Sequence, residues 1–485
     1  MVGKPFEMGM QKRRASQWEQ PPSTHLFHRL GAVLLTCGAV VLGQPARGES
    51  LAEAVIMAYQ SNPTLQAQRA ALRVADEGVP QARAGWRPNV EIVGDAGYRY
   101  QNSDPGIDGD RDLYSANLRV TQSLFSGFGT VADVKRAKHA VRAERARLTI
   151  TEQEVLLNAV RAYLNVVRDQ AVLQLNINNE KVLNRQLEAT RDRFNVGEVT
   201  RTDVAQAEAR VARARADRVQ ARGDLRISRG VYVQIVGKEP GKVQKPPSST
   251  NLPSSLQESV QLSLDSNPVV LASLYDERAA WQNVRVVRSR LLPRVDLIGE
   301  GGRSIDQSAA DTTIDSAQIT AQLTIPLYQR GSVSSEVREA KQVLSRNRQR
   351  LSEARRQSTE DANNAWESLV TARARIRSFN SEVRANRIAL EGVQQEALVG
   401  SRTVLDVLDA EQELLDAQVN LVRAERDETV AQYELLSAVG RLTAKALSLE
   451  TEIYDEKRYY RQVQDKLWGF GNDIGSEGSG SSVRK

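Results

Sequence analysis

Cysteine and histidine are nearly absent from this 485-residue chain: Cys37 is the one cysteine, and His25, His28 and His139 are the three histidines. Beyond residue 48 only His139 is left. That excludes disulfides, cysteine-held zinc and cysteine nucleophiles from the body of the chain, and neither a metal nor a cofactor site is expected. His139 lies in a Lys/Arg-rich helical run and reads as a solvated helix residue, not a catalytic base. Aromatics make up only 5 %, poor material for one large globular core but compatible with long helices of Ala, Leu, Gln, Glu and Arg. No Walker A loop, dinucleotide fingerprint or His-containing triad occurs, so no enzyme is expected. A large excess of either sign of charge is missing too. Residues 1–48 carry a net +4 of the chain's +6. No basic cluster interleaved with aromatics follows, which argues against nucleic acid as a partner.

Long apolar runs are also missing. The longest, Leu30 to Gly43, has 14 residues, is preceded by basic residues and is followed by Ala46-Arg47-Gly48. It is short for a spanning helix and fits a signal peptide over 1–48, cleaved near Gly48–Glu49. An exported chain with no spanning helix can cross a membrane only with strands.

What the chain has is a duplication. Ser50-Leu51-x-Glu53-x-Val55…Ser61-Asn62-Pro63 recurs at an offset of 205 as Ser255-Leu256-x-Glu258-x-Val260…Ser266-Asn267-Pro268. Pro88-x-Val90-Glu91-Ile92-x-Gly94 recurs as Pro293-x-Val295-Asp296-Leu297-x-Gly299. Further on, Val196-Gly197, Asp203-Val204 and Val236-Gly237 match Val399-Gly400, Asp406-Val407 and Val439-Gly440 at an offset of 203. The organisation expected is a first repeat over 49–240, a Pro/Ser-rich linker at 241–254, a second repeat over 255–443, and a tail over 444–485 with a flexible Gly/Ser end.

Within each repeat the period switches. Residues 113–124 and 317–325 alternate apolar and polar, with partner strands at about 89–101 and 294–304. Each repeat therefore holds one β-hairpin, at about 88–126 and 293–328, with polar loops at about 103–110 and 305–316. Helical runs of ~65 residues follow at about 130–194 and 332–397, roughly 100 Å each. In the second run apolar residues from Val337 to Ala397 fall at spacings of three and four, a heptad pattern with a stutter near 358–365. Reversals are expected at about 195–203 and 398–406. Gly197 and Gly400 permit the turn, and Thr403 caps the next helix with Asp406 in its first turn. Asp406 and Asp409 are three apart on that helix, with nothing apolar nearby to make them an acid/base pair. The fold class expected is mainly α with a transmembrane β part, a helix–hairpin–helix unit used twice.

This combination resembles the TolC family of outer-membrane efflux and secretion channels, over residues 50–443. The most specific stretches are Phe194-Asn195-Val196-Gly197 with Thr202-Asp203-Val204, and Val399-Gly400-Ser401-Arg402-Thr403-Val404-Leu405-Asp406-Val407-Leu408-Asp409. The resemblance implies a homotrimer in the outer membrane of a Gram-negative bacterium. Its twelve-stranded β-barrel would be continuous with a long periplasmic α-helical barrel. It implies a periplasmic gate in which Arg402 links to Thr202 and Asp203 on a neighbouring helix pair. It implies an acidic ring of Asp406 and Asp409 at the pore entrance, and tips at Gly197 and Gly400 that meet a periplasmic membrane-fusion adaptor. A Tyr frequent in the family's gate is replaced here by Ala397. The inner-membrane partner implied is an ABC transporter, for type I protein secretion, or a proton-driven pump, for multidrug efflux. The wording of Arg402 to Asp409 and an unacylated N-terminus favour type I secretion. A reading of another class is a periplasmic coiled-coil spacer without a pore.

Overall fold

The computed structural model describes residues 49–102, 109–246, 252–309 and 311–471. The expected presequence and the Gly/Ser end of the tail lie outside them.

Each repeat begins with two short helices, and local chemistry sets their ends. Helix α1 (Leu51–Ser61) starts in a capping box, with Ser50 Oγ accepting from the Glu53 amide and Glu53 accepting from the Ser50 amide. Helix α2 (Pro63–Arg83) starts at Asn62, with proline at its first position. Further along the chain, α5 (Leu256–Ser266) and α6 (Pro268–Ser289) repeat the pattern after Ser255 and Asn267. The two capping asparagines also reach across the fold. Asn62 Nδ2 donates to Ile235 O at 3.1 Å, and Asn267 Nδ2 donates to Ala438 O at 3.0 Å. Each satisfies a carbonyl that the end of a distant helix leaves without an internal partner.

Between α2 and α6 in sequence lie the first hairpin and the first long helix pair. Strands β1 (Asn89–Gln101) and β2 (Gly109–Ser126) are followed by α3 (Gly129–Asn195) and α4 (Arg201–Val236). The second repeat continues with β3 (Arg294–Ile305), β4 (Thr313–Thr324), α7 (Ser332–Leu398) and α8 (Val404–Ala438). Both α3 and α7 have 67 residues, ~100 Å of helix each. Among the described residues no helix is long and apolar enough to cross a membrane.

The strands form one antiparallel sheet in the order β1-β2-β3-β4. Strand β2 starts four residues before the alternation at 113–124 suggests. Asp110 and Asp112 hide the period, yet they pair in register with Tyr100 and Tyr98. The register gathers Val90, Ile92, Leu118, Val120, Ile319 and Leu323 on one face. The opposite face is polar. Arg119 Nε donates to Glu300 Oε1 at 2.6 Å, Gln318 donates to the other Glu300 oxygen at 2.6 Å, and Ser115 donates to Asp95 at 3.0 Å.

The largest apolar cluster joins α1, the middle of α3, the end of α4, α8 and residues 442–449. Glu49 is buried at its edge, where its carboxylate accepts from Tyr232 Oη at 2.6 Å and the Gly241 amide at 2.6 Å. Ser358, at the expected stutter, is buried, and its hydroxyl donates to Ser263 O of α5 at 3.2 Å. The break in the heptad is where α7 receives a short helix.

His139 is less solvated than the run suggests. It is half-buried between α3 and α6, facing the Tyr275 ring at 6.4 Å, and burial with Arg142 and Arg278 nearby lowers its pKa. The first part of the tail is packed as well. Leu442 and Ala444 are fully buried, and α9 (Arg458–Val463) lies on α2. Arg69 sits over both the Tyr59 and Tyr454 rings, and Tyr459 Oη donates to Glu77 at 2.6 Å. This strap covers Asp76, which has 0 % exposure and no hydrogen bond to either oxygen. Burial raises its pKa from 3.8 to about 6, against the pull of Arg145.

Candidate gate and membrane face

The two helix reversals share one backbone design. At the first, Glu198 N donates to Arg193 O (2.9 Å) and Gly197 N to Phe194 O (2.9 Å). At the second, Ser401 N donates to Glu396 O (3.0 Å) and Gly400 N to Ala397 O (3.3 Å). These nested bonds define a Schellman ending, which needs a left-handed residue after the cap. Gly197 (φ 83) and Gly400 (φ 77) supply it. Each following helix then opens in a capping box, Thr200 with Asp203 and Thr403 with Asp406.

Side chains take up different roles on this frame. Arg402 Nε donates to Glu396 Oε2 at 2.9 Å within its own reversal, and Glu396 holds the guanidinium pKa above its usual value. In the single chain Arg402 does not bond to Thr202 or Asp203. Asp203 accepts from the Thr200 amide and hydroxyl (2.8 and 2.7 Å), and Thr202 is exposed. Asp406 accepts from the Thr403 hydroxyl and amide (2.7 and 2.8 Å), and those bonds, the hydroxyl's first, lower its pKa. Asp409 takes the guanidinium of Arg210 on α4. A small apolar core beneath, including Leu187, Val211, Val404 and Leu408, ties the start of α8 to the α3–α4 pair. Gly197 and Gly400 are exposed, beside the exposed side chains of Val196 and Val399.

Two partners escaped the sequence reading. Glu396 lies six residues before Arg402, a separation that becomes a contact only once the chain has reversed. Arg210 and Asp409 are 199 residues apart, and no local pattern couples them.

The sheet supplies the other candidate surface. In the single chain Ile92 is 78 % exposed and Ile319 80 % exposed, although both sit on its apolar face. Its edge strands, β1 and β4, each pair on one side only. Four strands with the usual twist and tilt are too few to close on themselves.

A family profile described as "Outer membrane efflux protein" matches residues 55–237 and again 259–441, one match per repeat. The chain belongs to that family. It is 35 % identical over 442 residues to outer membrane efflux protein BepC of Brucella suis, covering 91 % of this chain and 96 % of BepC. It is 24 % identical over 428 residues to the proteases secretion protein PrtF of Dickeya chrysanthemi, covering 84 % of this chain and 90 % of that one. Among solved structures, VceC of Vibrio cholerae superposes with a TM-score of 0.71 at 21 % identity, over 80 % of this chain and 96 % of VceC. The protein is thus an outer membrane efflux channel of the TolC family, placed in the outer membrane and extending into the periplasm. The family is one of channels, not enzymes.

Proposed function

We propose that three copies join β1 of one sheet to β4 of the next, forming a twelve-stranded barrel that continues into a periplasmic α-helical barrel. The open-edged sheet, apolar on one exposed face and polar on the other, carries this reading. A closed barrel leaves no unpaired edge in lipid, and its polar face would line a water-filled lumen. Val219, Ile227 and Val231 also leave an apolar strip exposed on α4, suited to a neighbouring copy. At the far end Arg402, Thr202 and Asp203 form the gate across copies. Asp406, kept ionised by its capping bonds, carries the acidic ring with Asp409, and Gly197 and Gly400 present the tips to a membrane-fusion adaptor. The duct then serves an inner-membrane transporter. Light scattering of the detergent-purified protein tests the assembly: a mass of three copies is expected, whereas a monomer soluble without detergent supports the coiled-coil spacer.

Two routes share this architecture. Type I secretion with an ABC transporter is supported by the Arg402–Asp409 stretch and by the likeness to a protease secretion protein. Efflux of small toxic compounds through a proton-driven pump is supported by the 35 % identity to an efflux protein. A deletion strain separates them. Loss of secreted proteins at unchanged drug susceptibility marks the first, and the reverse marks the second.

A further inference from the structure

Among the described residues, the strap after α8 runs to three large apolar side chains that stand exposed. Leu467 is 73 % exposed, Trp468 89 % and Phe470 102 %. An exposed cluster of this kind in so aromatic-poor a chain calls for a partner. Its position is held from α2. Arg83 donates to Gln464 O at 2.8 Å and pairs with Asp465, and Arg87 donates to Lys466 O at 2.8 Å. Arg87 lies two residues before β1, and its neighbour Trp86 is 49 % exposed. The apolar cluster is therefore fixed at the foot of the sheet, where the chain passes from helix to strand.

Other crossings at that foot have the same character. Phe128, between β2 and α3, is 68 % exposed, and Leu327 and Tyr328, between β4 and α7, are 91 % and 83 % exposed. Aromatic and apolar side chains with cations beside them are what a membrane–water interface selects, since the ring sits among acyl chains and the cation among phosphates. Lys466 is exposed next to Leu467 and Trp468.

We propose that Lys466-Leu467-Trp468-Gly469-Phe470 is an interfacial anchor that inserts its apolar side chains into the periplasmic leaflet of the outer membrane, with phospholipid as its partner. The anchor would hold the strap, and through it α2, to the bilayer. It extends the membrane contact from the barrel wall to a segment of the periplasmic part, and it rests on the sheet lying in that membrane.

The chain's one cysteine is Cys37, so in a Cys37→Ser background single labels are unambiguous. Nitroxides at Trp468→Cys, Ile319→Cys and Val233→Cys, in the full chain reconstituted into phosphatidylethanolamine/phosphatidylglycerol vesicles, report local solvent by relaxation with oxygen and with a water-soluble nickel chelate. The expected result is oxygen dominance at 468 and 319 and nickel dominance at 233. Oxygen dominance at 319 with nickel dominance at 468 overturns the anchor and leaves the barrel standing. Protection from both agents at 468 also overturns it, because the segment would then pack on a neighbouring copy. Nickel dominance at 319 removes the membrane reading of the sheet, and the anchor with it.

Discussion

The two helix reversals have the same backbone and inverted charges. Arg193 occupies the third position from the end of α3, and Glu396 occupies the equivalent position in α7. Arg193 binds Glu198 in the turn at 3.1 Å, while Glu396 binds Arg402 in the turn at 2.9 Å. A cation near a helix C-terminus is favoured by the helix dipole and an anion is disfavoured. The first reversal is therefore supported by its own helix. The second carries an unfavourable Glu396 that Arg402 offsets. Aromatic character is inverted too: Phe194 stands where the second reversal has Ala397. The lesson is that a duplicated backbone motif leaves function to the side chains. The second reversal carries its exposed cation, Arg402, inside the turn, whereas the first carries Arg201 at the opening of α4, so the two tips offer their cations at different places.

The largest expected effect breaks this asymmetry. Arg402→Ser should raise the resting conductance of purified channels in planar bilayers, while Glu198→Ser should leave it near wild type. Equal conductance in both would remove Arg402 from the gate. The exchange Glu396→Arg with Arg402→Glu sharpens the same point. If Arg402 acts through its own reversal, the double variant conducts as wild type. If it acts on Thr202 and Asp203 of a neighbouring copy, the double variant stays open.

A second contrast lies between α2 and α6. Asp76 aligns with Trp281, which is 43 % exposed; the strap covers α2, and among the described residues no such strap packs on α6. The folded state holds the Asp76 pKa above its unfolded value. Its penalty is therefore absent below about pH 4, grows as pH rises, and is complete above about pH 6. A shift of this size corresponds to at most ~3 kcal/mol. Asp76→Asn should raise the Tm at pH 7 and lose that advantage at pH 4. A gain independent of pH would mean that folding does not raise the Asp76 pKa.

Smaller effects are expected at the tip. Asp406→Ala with Asp409→Ala should weaken block by multivalent cations, and most of the loss should come from Asp406→Ala alone because Asp409 already faces Arg210. Equal losses from the two single variants would show that the Arg210 pair opens in the assembled channel. Least of all, Thr200→Ala and Thr403→Ala should each cost ~1 kcal/mol. Hydrogen exchange should show the same faster opening at the first turns of α4 and α8. Unequal opening would place an additional contact on one of them.

Much of this was legible in order along the chain. Ser50/Glu53, Asn62-Pro63 and Gly400 with Thr403/Asp406 act within a few residues, so their pattern is already a statement about backbone geometry. The start of β2 is less legible than its middle because strand pairing, not side-chain period, holds Asp110 and Asp112. The environment of His139 was misread because α6 approaches from more than a hundred residues away. The packing of Leu442, Ala444 and Val463 is not legible in the sequence either. Strap residues such as Tyr454 and Tyr459 look like tail until α2 offers Arg69 and Glu77.

The sequence by itself determined the duplicated unit, the place of each hairpin and long helix, and both turns, since hydrophobic period and capping chemistry are local. Only the tertiary structure decided that Arg402 faces Glu396, that Arg210 faces Asp409, and that a strap buries Asp76 and carries Trp468 to the foot of the sheet. Those contacts join residues that no helical or strand period pairs, whether across a turn or across the fold, and their free energy depends on burial and on charges brought together only when the chain has folded.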